Sequence, residues 1–260
     1  MQRHRFFVPP EWLAHDPISL SGEIAHQLFR VLRLKPGDEV ELLDNTGRAL
    51  KVRLKRVEPR ECLALRQESY RPCTEPRVPM VLYQSLPKGR KMDTVLQKAV
   101  ELGASGIVPV VAARSVPAES GERSGARLIR WRRIIQEAAE QSGRAVLPSL
   151  SDSLTLSLAL EQIHPGDLCL AGLLEETAVP IRNVLESLEA PPGRVRLFVG
   201  PEGGFDKGES DLLKKAGAIS VTLGPRTLRT ETAGLAMLAV VGYALGEMSE
   251  TDPRCRPLST

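Results

Sequence analysis

Two successive strand–loop–helix units fill residues 194–246 and constrain the fold more than any other part of the chain. Arg194–Val199 is a short run of β-branched and apolar residues that ends at a glycine-rich loop, residues 200–204. A second short strand, residues 220–223, ends at Gly224, which is followed by proline. Strands that alternate with helices in this way predict an α/β fold with a parallel sheet.

The helices that follow the two loops differ in polarity. Residues 206–216 are polar on one side and carry Leu212 and Leu213 on the other, and Gly217 stands where a left-handed helix cap is favoured. Residues 230–247 are rich in Ala, Leu, Met and Val on nearly every side, which predicts a buried helix. Upstream, the patterns predict strands at 78–84, 107–111 and 167–171, and helices at 92–102, 126–142, 154–163 and 181–188.

The two glycine–proline loops predict a ligand site. In open parallel sheets, ligands bind outside the carboxyl ends of the strands. Glycine lets the backbone approach a ligand closely, and residues 200–204 offer main-chain donors and acceptors suited to an adenine edge or a ribose. Neither loop matches a dinucleotide or P-loop fingerprint, and ordinary tight turns are the alternative. The second loop adds a cluster of polar residues: Arg226, Arg229, Thr230, Glu231 and Thr232.

The two loop sequences also resemble a known family. Gly-Pro-Glu-Gly-Gly-Phe at 200–205 and Leu-Gly-Pro-Arg-Thr-Leu-Arg-Thr-Glu-Thr-Ala at 223–233 are similar to the SPOUT superfamily of knotted RNA methyltransferases. More closely, they resemble the RsmE family, which methylates N3 of uridine 1498 in 16S ribosomal RNA. The resemblance implies an α/β fold: a SPOUT-type parallel sheet with a C-terminal trefoil knot, preceded by a small PUA-like β-barrel domain. It further implies a homodimer.

The resemblance implies S-adenosylmethionine as cofactor and no metal. Removing the N3 proton of uracil leaves negative charge on O2 and O4, which an arginine would stabilise. Arg144, in a segment at 137–144 that matches the family, and Arg229 are the catalytic candidates, with Arg5 of the first domain behind them and a phosphate contact as the alternative for each. No general base can be named from the sequence. Glu202 is a candidate, and the alternative is that this loop carboxylate only organises its own turn. The implied cofactor-binding residues are Leu173, Leu174, Val199, Gly200, Pro201, Glu202, Gly203, Leu223, Gly224, Leu228, Arg229, Thr230 and Ala233.

The first quarter of the chain predicts a small β-rich module. Strands are predicted at 5–8, 40–44, 49–57 and 62–68, a turn and helix cap at 18–23, and an amphipathic helix at 23–32. The resulting domains are 1–72, PUA-like and RNA-binding; 73–79, a proline-containing linker; 80–248, the SPOUT methyltransferase domain; and 249–260, a flexible tail.

Several polar side chains are candidates for RNA contact. Arg30 and Arg33 lie one turn apart at the first helix, and Lys88, Arg90 and Lys91 lie ahead of a helix N-terminus, where backbone N–H groups already favour phosphate. Arg5 and Gln141 are implied by the resemblance. Solvated charge at a helix face or loop tip is the alternative. The candidates are Arg5, Arg30, Arg33, Lys88, Arg90, Lys91 and Gln141.

Composition limits the class of protein. The 260 residues are 42% hydrophobic and 26% charged, as expected for a globular protein with a sizeable core. The formal charge of +3 comes from residues 1–72, with 13 Lys+Arg against 10 Asp+Glu. The four cysteines lack metal-ligand spacing. We find no run of 18 apolar residues and no signal-peptide pattern, so we expect a cytoplasmic protein with no membrane partner. The resemblance implies that its partner is the 16S rRNA of the small ribosomal subunit.

Two other functions fit the same residues. The same fold could methylate a different rRNA or tRNA nucleotide. Alternatively, the chain could be a non-catalytic RNA-binding assembly factor that keeps the cofactor pocket as a vestige. Cofactor binding distinguishes the second alternative, and a map of modified nucleotides distinguishes the first.

Overall fold

The fold is taken from a computed structural model that describes residues 4–115, 122–173 and 175–248. Leu174 and the predicted tail at 249–260 lie outside these ranges. Among the described helices, none has the length and apolar character needed to cross a membrane.

The chain forms two compact units. The first consists of the described residues within 4–75 and 139–147, and the second of the described residues within 76–138 and 148–248. The sequence predicts that Ala139–Leu147 belongs to the second domain, and the structure groups it with the first unit instead. Hydrogen bonds account for this grouping. The N–H of Phe7 donates to Glu140 Oε1 at 3.1 Å, and the N–H of Leu147 donates to Asn45 Oδ1 at 2.7 Å.

The first unit contains a curled five-stranded sheet. Its strand order is β1-β3-β4-β5-β2; β1 pairs with β3 in parallel and the other pairs are antiparallel. Over the described residues β1 and β2 are the two edges of this sheet, so the predicted small barrel is not closed by hydrogen bonds between them. The strands are β1 His4–Phe7, β2 Ile18–Ser21, β3 Glu39–Leu43, β4 Ala49–Val57 and β5 Glu61–Tyr70.

Two local predictions in this unit are wrong. Residues 18–21 form strand β2 and not a turn, because Ile18 and Leu20 alternate with serines and point into the core with 0% exposure. The helix predicted at 23–32 is a short α-helix, α1 (Gly22–His26), continued by a π-helical segment, Gln27–Val31. A π-helical turn shares the apolar spacing of an α-helix over so few residues, so periodicity does not distinguish them.

The second unit is built on an eight-stranded sheet in which the described pairings are all parallel. The order is β11-β13-β10-β12-β6-β7-β8, and β9 also pairs with β7. The strands are β6 Met80–Ser85, β7 Gly106–Val111, β8 Ser149–Leu150, β9 Leu154–Thr155, β10 Asp167–Gly172, β11 Val179–Pro180, β12 Arg194–Val199 and β13 Ile219–Thr222. The predicted parallel sheet is therefore confirmed.

Helices connect these strands, as predicted. Most bounds lie within a few residues of the expectation; the exception is the helix predicted at 154–163, which is only one short helix, α4, because two-residue strand β9 takes its first residues. The helices are α2 Lys91–Glu101, α3 Glu122–Ser142, α4 Leu156–Leu160, α5 Ile181–Glu186, α6 Lys207–Lys215 and α7 Thr230–Ala244. Asp206 caps α6 with a complete capping box to Glu209.

β12 is the central strand of the second unit. It lies between β10 and β6, and Val195, Leu197 and Phe198 are each 0% exposed. The one buried cation on this strand, Arg196, donates to Asp167 Oδ2 and to the hydroxyl of Tyr83. An apolar strand buried on both faces is typical of a parallel sheet, and its charged residue is accommodated because it is paired.

Helix α7 is only half buried, which corrects the prediction of a helix buried all round. Gly234, Met237, Leu238 and Val241 face the interior. Tyr243 on the opposite side is 77% exposed, and Val240 is 37% exposed.

Candidate functional site: a cavity at the carboxyl ends of three strands

Three strands of the second unit end at the same edge of the sheet. Gly172 at the end of β10 is paired with Val199 at the end of β12 and with Val221 near the end of β13. Because the strands are parallel and in register, the loops that follow them lie side by side. They enclose a cavity of about 630 Å³.

Most of the residues implied to bind cofactor line this cavity. They are Leu173, Val199, Gly200, Pro201, Glu202, Leu223, Gly224, Leu228, Arg229, Thr230 and Ala233. Gly203 does not line it; its carbonyl accepts a hydrogen bond from Arg114 at 2.7 Å. Leu174 lies outside the described residues. That these residues bind cofactor remains a prediction.

The cavity also contains residues that sequence reasoning did not single out as cofactor-binding. Gly172 and Val221 belong to strand ends whose register was unknown, and Met237 lies two turns into α7. Thr222 is the last residue of β13 and Lys91 the first residue of α2. The remaining ones lie in loops, where position in the loop was the available signal. They are Glu175, Glu176, Gly204, Pro225, Arg226 and Thr227.

The first glycine loop, residues 200–204, turns back on itself so tightly that it requires glycine. A Cβ on Gly200 would lie 3.0 Å from the Phe205 nitrogen and 3.3 Å from the Gly204 carbonyl carbon. In the second loop Gly224 has φ +116°, a conformation that side chains rarely adopt. Both glycines therefore leave main chain facing the cavity.

A buried hydroxyl links the first loop to helix α7 and strand β6. The Thr230 hydroxyl donates to the Gly200 carbonyl at 2.6 Å and accepts from Gln84 Nε2 at 2.8 Å. Thr230 is 5% exposed and Gln84 is 0% exposed. A hydrogen bond between buried groups is costly to lose, since each partner would be left without water. This link holds the loop and the start of α7 in one arrangement.

Lys91 joins two carboxylates at the wall of the cavity. Its Nζ lies 3.2 Å from Glu202 Oε1 and 3.2 Å from Glu231 Oε2. Glu202 also accepts a hydrogen bond from the N–H of Lys88 at 3.0 Å. Burial favours the neutral form of Glu202, but the hydrogen bonds from Lys88 and Lys91 outweigh it and lower the pKa of its carboxyl. Both neighbouring carboxylates raise the pKa of Lys91.

The two arginines proposed for catalysis occupy different environments. Arg229 is the N-cap residue of α7; its side chain is exposed and it lines the cavity. Arg144 does not line the cavity and belongs to the first unit. There it is 4% exposed, and its guanidinium donates to Glu75 Oε2 at 2.5 and 3.1 Å. The catalytic role of each arginine stays a prediction.

The candidate RNA-binding residues of the first unit are of two kinds. Arg5 is engaged, since its Nε lies 2.8 Å from Glu41 Oε2. Arg30, Arg33 and Gln141 are exposed. Arg33 has φ +53°, and the Arg30 guanidinium lies 5.5 Å from the Phe29 ring centre.

In the second unit the candidates cluster before α2. Lys88 and Arg90 have exposed side chains in the loop, and Arg90 is the N-cap residue. Lys91 differs, because it lines the cavity and is paired with carboxylates. RNA contact by these residues remains a prediction.

Family comparisons assign the class of protein. Residues 74–242 match the RNA methyltransferase domain family, and residues 20–65 match the RNA methyltransferase PUA domain. The first match spans more than half of the chain and includes the cavity and both glycine loops. The chain is therefore an RNA methyltransferase with a PUA-type first domain.

Individual relatives narrow this class. The ribosomal RNA small subunit methyltransferase E of Bacillus subtilis is 31% identical over 94% of this chain and 96% of its own length. The crystal structure of the Neisseria gonorrhoeae protein of that name, bound to S-adenosylmethionine, has 32% identity, a TM-score of 0.84, and coverage of 93% of this chain and 98% of its own. A Legionella pneumophila protein solved with the same cofactor has 29% identity and a TM-score of 0.84, and the match covers 94% of this chain and 98% of that protein. The chain belongs to the RsmE family.

Proposed function

We propose that this protein uses S-adenosylmethionine to methylate N3 of uridine 1498 in the 16S rRNA of the small ribosomal subunit. The observation that carries the proposal is the cavity at the ends of β10, β12 and β13, walled by the two glycine loops whose sequences resemble this family. The family relatives are ribosomal RNA methyltransferases by name, and two similar proteins were solved with this cofactor.

The cavity fits a nucleoside ligand. Its volume of about 630 Å³ lies within the range typical of small-molecule sites. Gly200 and Gly224 present main chain to it, which supports recognition of an adenine edge or ribose by backbone groups. Apolar walls come from Leu173, Val199 and further residues of the lining. The cofactor, when bound, supplies an electrophilic methyl group.

The remaining demand of the reaction is charge stabilisation at the uracil. Loss of the N3 proton places negative charge on O2 and O4. A cation aimed at those oxygens lowers the barrier in the way an oxyanion-hole donor does. Arg229 suits this role because its side chain is exposed at the cavity and is fixed at its base as the α7 N-cap.

Glu202 is not the general base in this proposal. Its carboxylate is occupied by the Lys88 N–H and by Lys91, and its lowered pKa makes it a weak proton acceptor. A hydrogen-bonded anchor for the first glycine loop is the role that its contacts support.

The same proposal covers the rest of the molecule. The first unit, with its PUA-type sheet, is the RNA-binding module, and its exposed Arg30 and Arg33 are phosphate contacts. Two copies associate through the apolar exposed side of α7, where Tyr243 and Val240 lie. The C-terminal segment forms a trefoil knot, and the protein works in the cytoplasm on the small subunit.

The decisive experiment is a map of modified nucleotides in rRNA. We expect rRNA from a deletion strain to lack N3-methylation at uridine 1498, and the wild-type gene to restore it. Restoration should fail with Arg229→Ala. Loss of a modification at another nucleotide, with uridine 1498 unchanged, would contradict the choice of target while leaving the reaction class intact.

Calorimetry tests the cofactor separately. We expect S-adenosylmethionine to bind the isolated protein and S-adenosylhomocysteine to compete with it. Absence of heat with both ligands would favour a non-catalytic assembly factor over an enzyme.

A further inference from the structure

Lys91 is unusual for its position in the fold. It is the first residue of α2, where the helix dipole favours anions and disfavours a cation. Its ammonium is nevertheless held there by two carboxylates, Glu202 and Glu231, each at 3.2 Å. The side chains of Lys91, Glu202 and Glu231 are part-exposed, at 31%, 30% and 20%. Packing in the core therefore does not explain why the three residues meet, and neither does the charge preference of the helix N-terminus.

The three residues come from three different elements around the cavity. Glu202 belongs to the first glycine loop, and Glu231 is in the first turn of α7, directly after the second loop. Lys91 therefore ties both loops to α2. The Lys88 N–H reinforces the same bond network by donating to Glu202 at 3.0 Å.

The cluster also contributes to the charge of the wall, beside Glu175, Glu176, Arg226 and Arg229, which line the same cavity. Lys91 and Glu202 both line the cavity. Two carboxylates with one ammonium leave one negative charge, whereas the carboxylates alone would leave two. Charges within about 10 Å of a ligand act on it through the part-exposed wall. A methyl donor carries a sulfonium cation, and its demethylated product is a neutral thioether, so the two ligands respond differently to this charge.

We propose that Lys91 is a positioning residue that ties the two cavity loops to α2. By offsetting the negative charge of Glu202 and Glu231, it also limits the preference of the cavity for cationic S-adenosylmethionine over the neutral product, S-adenosylhomocysteine. The inference rests on the proposed use of S-adenosylmethionine. Lys91 keeps the loops in place for the nucleoside and amino-acid parts that the two ligands share.

The test compares the dissociation constants of S-adenosylmethionine and S-adenosylhomocysteine for four proteins. Lys91→Met removes the ammonium and keeps much of the side-chain length. Lys91→Arg keeps the charge. Lys98→Met is the matched control, because Lys98 lies on the same helix and pairs with Glu101 at 2.8 Å away from the cavity lining. The wild-type chain is the reference, and thermal unfolding shows that each variant folds.

We expect Lys91→Met to weaken the binding of S-adenosylhomocysteine more than the binding of S-adenosylmethionine. The dissociation constant of S-adenosylhomocysteine divided by that of S-adenosylmethionine should rise by about threefold or more relative to wild type, and high salt should reduce this change. Lys91→Arg should restore the wild-type ratio, and Lys98→Met should leave both constants within about twofold.

An unchanged ratio in Lys91→Met overturns the inference, whether or not both affinities fall together. A ratio that shifts equally in Lys98→Met overturns it as well, because the effect would then be unspecific. These results leave the proposed function standing. A wild-type chain that binds neither ligand overturns the proposed function and the inference at once.

Discussion

Substitution of Arg229 separates an effect on catalysis from an effect on stability. Its side chain is exposed at the cavity, so Arg229→Ala removes little packing. We expect kcat to fall by about 10²–10³-fold if the guanidinium stabilises charge on the uracil. The free energy of unfolding should change by less than about 0.5 kcal/mol, as for other surface substitutions. Single-turnover methylation assays and urea unfolding measure the two quantities.

The control for this prediction is Arg182→Ala. Arg182 is also exposed, and among the described residues its ion pair is with Glu186, a neighbour on its own helix α5. It should alter neither quantity. Equal losses of turnover and stability in Arg229→Ala would show that the arginine is structural.

Thr230 illustrates how one buried hydroxyl fixes the cavity. Thr230→Val keeps the shape of the side chain but removes the bonds to the Gly200 carbonyl and the Gln84 amide. Leaving these buried groups without partners should cost about 1–3 kcal/mol of stability. S-adenosylmethionine binding should weaken with it, because the first glycine loop loses its attachment. Chemical denaturation and calorimetry report the two effects.

Thr232→Val is the matched control, since Thr232 is exposed in the same first turn of α7. A comparable loss of stability there would mean that β-branching or polarity in this turn, and not the buried bonds, is responsible.

At the scale of elements, the contact between α7 and β6 depends on Gly234. A Cβ at this position would lie 2.9 Å from Gln84 Oε1 and 3.2 Å from Leu82 Cδ1. We expect Gly234→Ala to destabilise the protein by about 1–3 kcal/mol, because the helix must move away from the sheet. This outweighs the gain of about 1 kcal/mol that alanine brings to a helix interior.

Gly242 on the same helix provides the comparison. A Cβ there would meet Met248 Cε at 3.5 Å and Met80 Cε at 3.6 Å, which are ordinary contacts. Gly242→Ala should therefore be neutral or stabilising in the same thermal unfolding experiment. Two destabilised variants would mean that α7 tolerates no added methyl group on this face.

The sequence predicts the elements that carry strong local signals. β12 has the predicted bounds, and α6 begins after the acidic cap at Asp206. The two-residue strands β8, β9 and β11 are too short to show a period. The π-helical segment Gln27–Val31 mimics an ordinary amphipathic helix.

The sequence predicts the cavity residues that lie in glycine loops. It misses the residues that reach the cavity only through strand register or the packing of a helix on the sheet. Gly200 and Gly224 are recognisable as loop glycines. Met237 becomes part of the cavity only because α7 packs across the strand ends. The pairing of Arg144 with Glu75, 69 residues away in the chain, likewise has no local signal.

At the scale of the whole molecule, the exposed side of α7 bears on association. Tyr243 is 77% exposed on a helix that is otherwise largely apolar. If two copies meet there, Tyr243→Glu should convert dimers to monomers and raise the dimer dissociation constant at least about tenfold, since a charge would be buried. Analytical ultracentrifugation measures this. Leu212→Glu on α6, where Leu212 is 43% exposed, is the control and should leave association unchanged.

The order of the chain determines when the cavity can exist. Among the described lining residues only Lys91 precedes Gly172, and the last ones, Thr230 to Met237, belong to α7. Synthesis proceeds from the N-terminus, so a growing polypeptide whose helix α7 is still inside the ribosomal exit tunnel lacks one wall of the cavity and the Thr230 hydroxyl. The complete cavity therefore exists only once α7 has left the tunnel, even if the strands that supply its other walls have already folded.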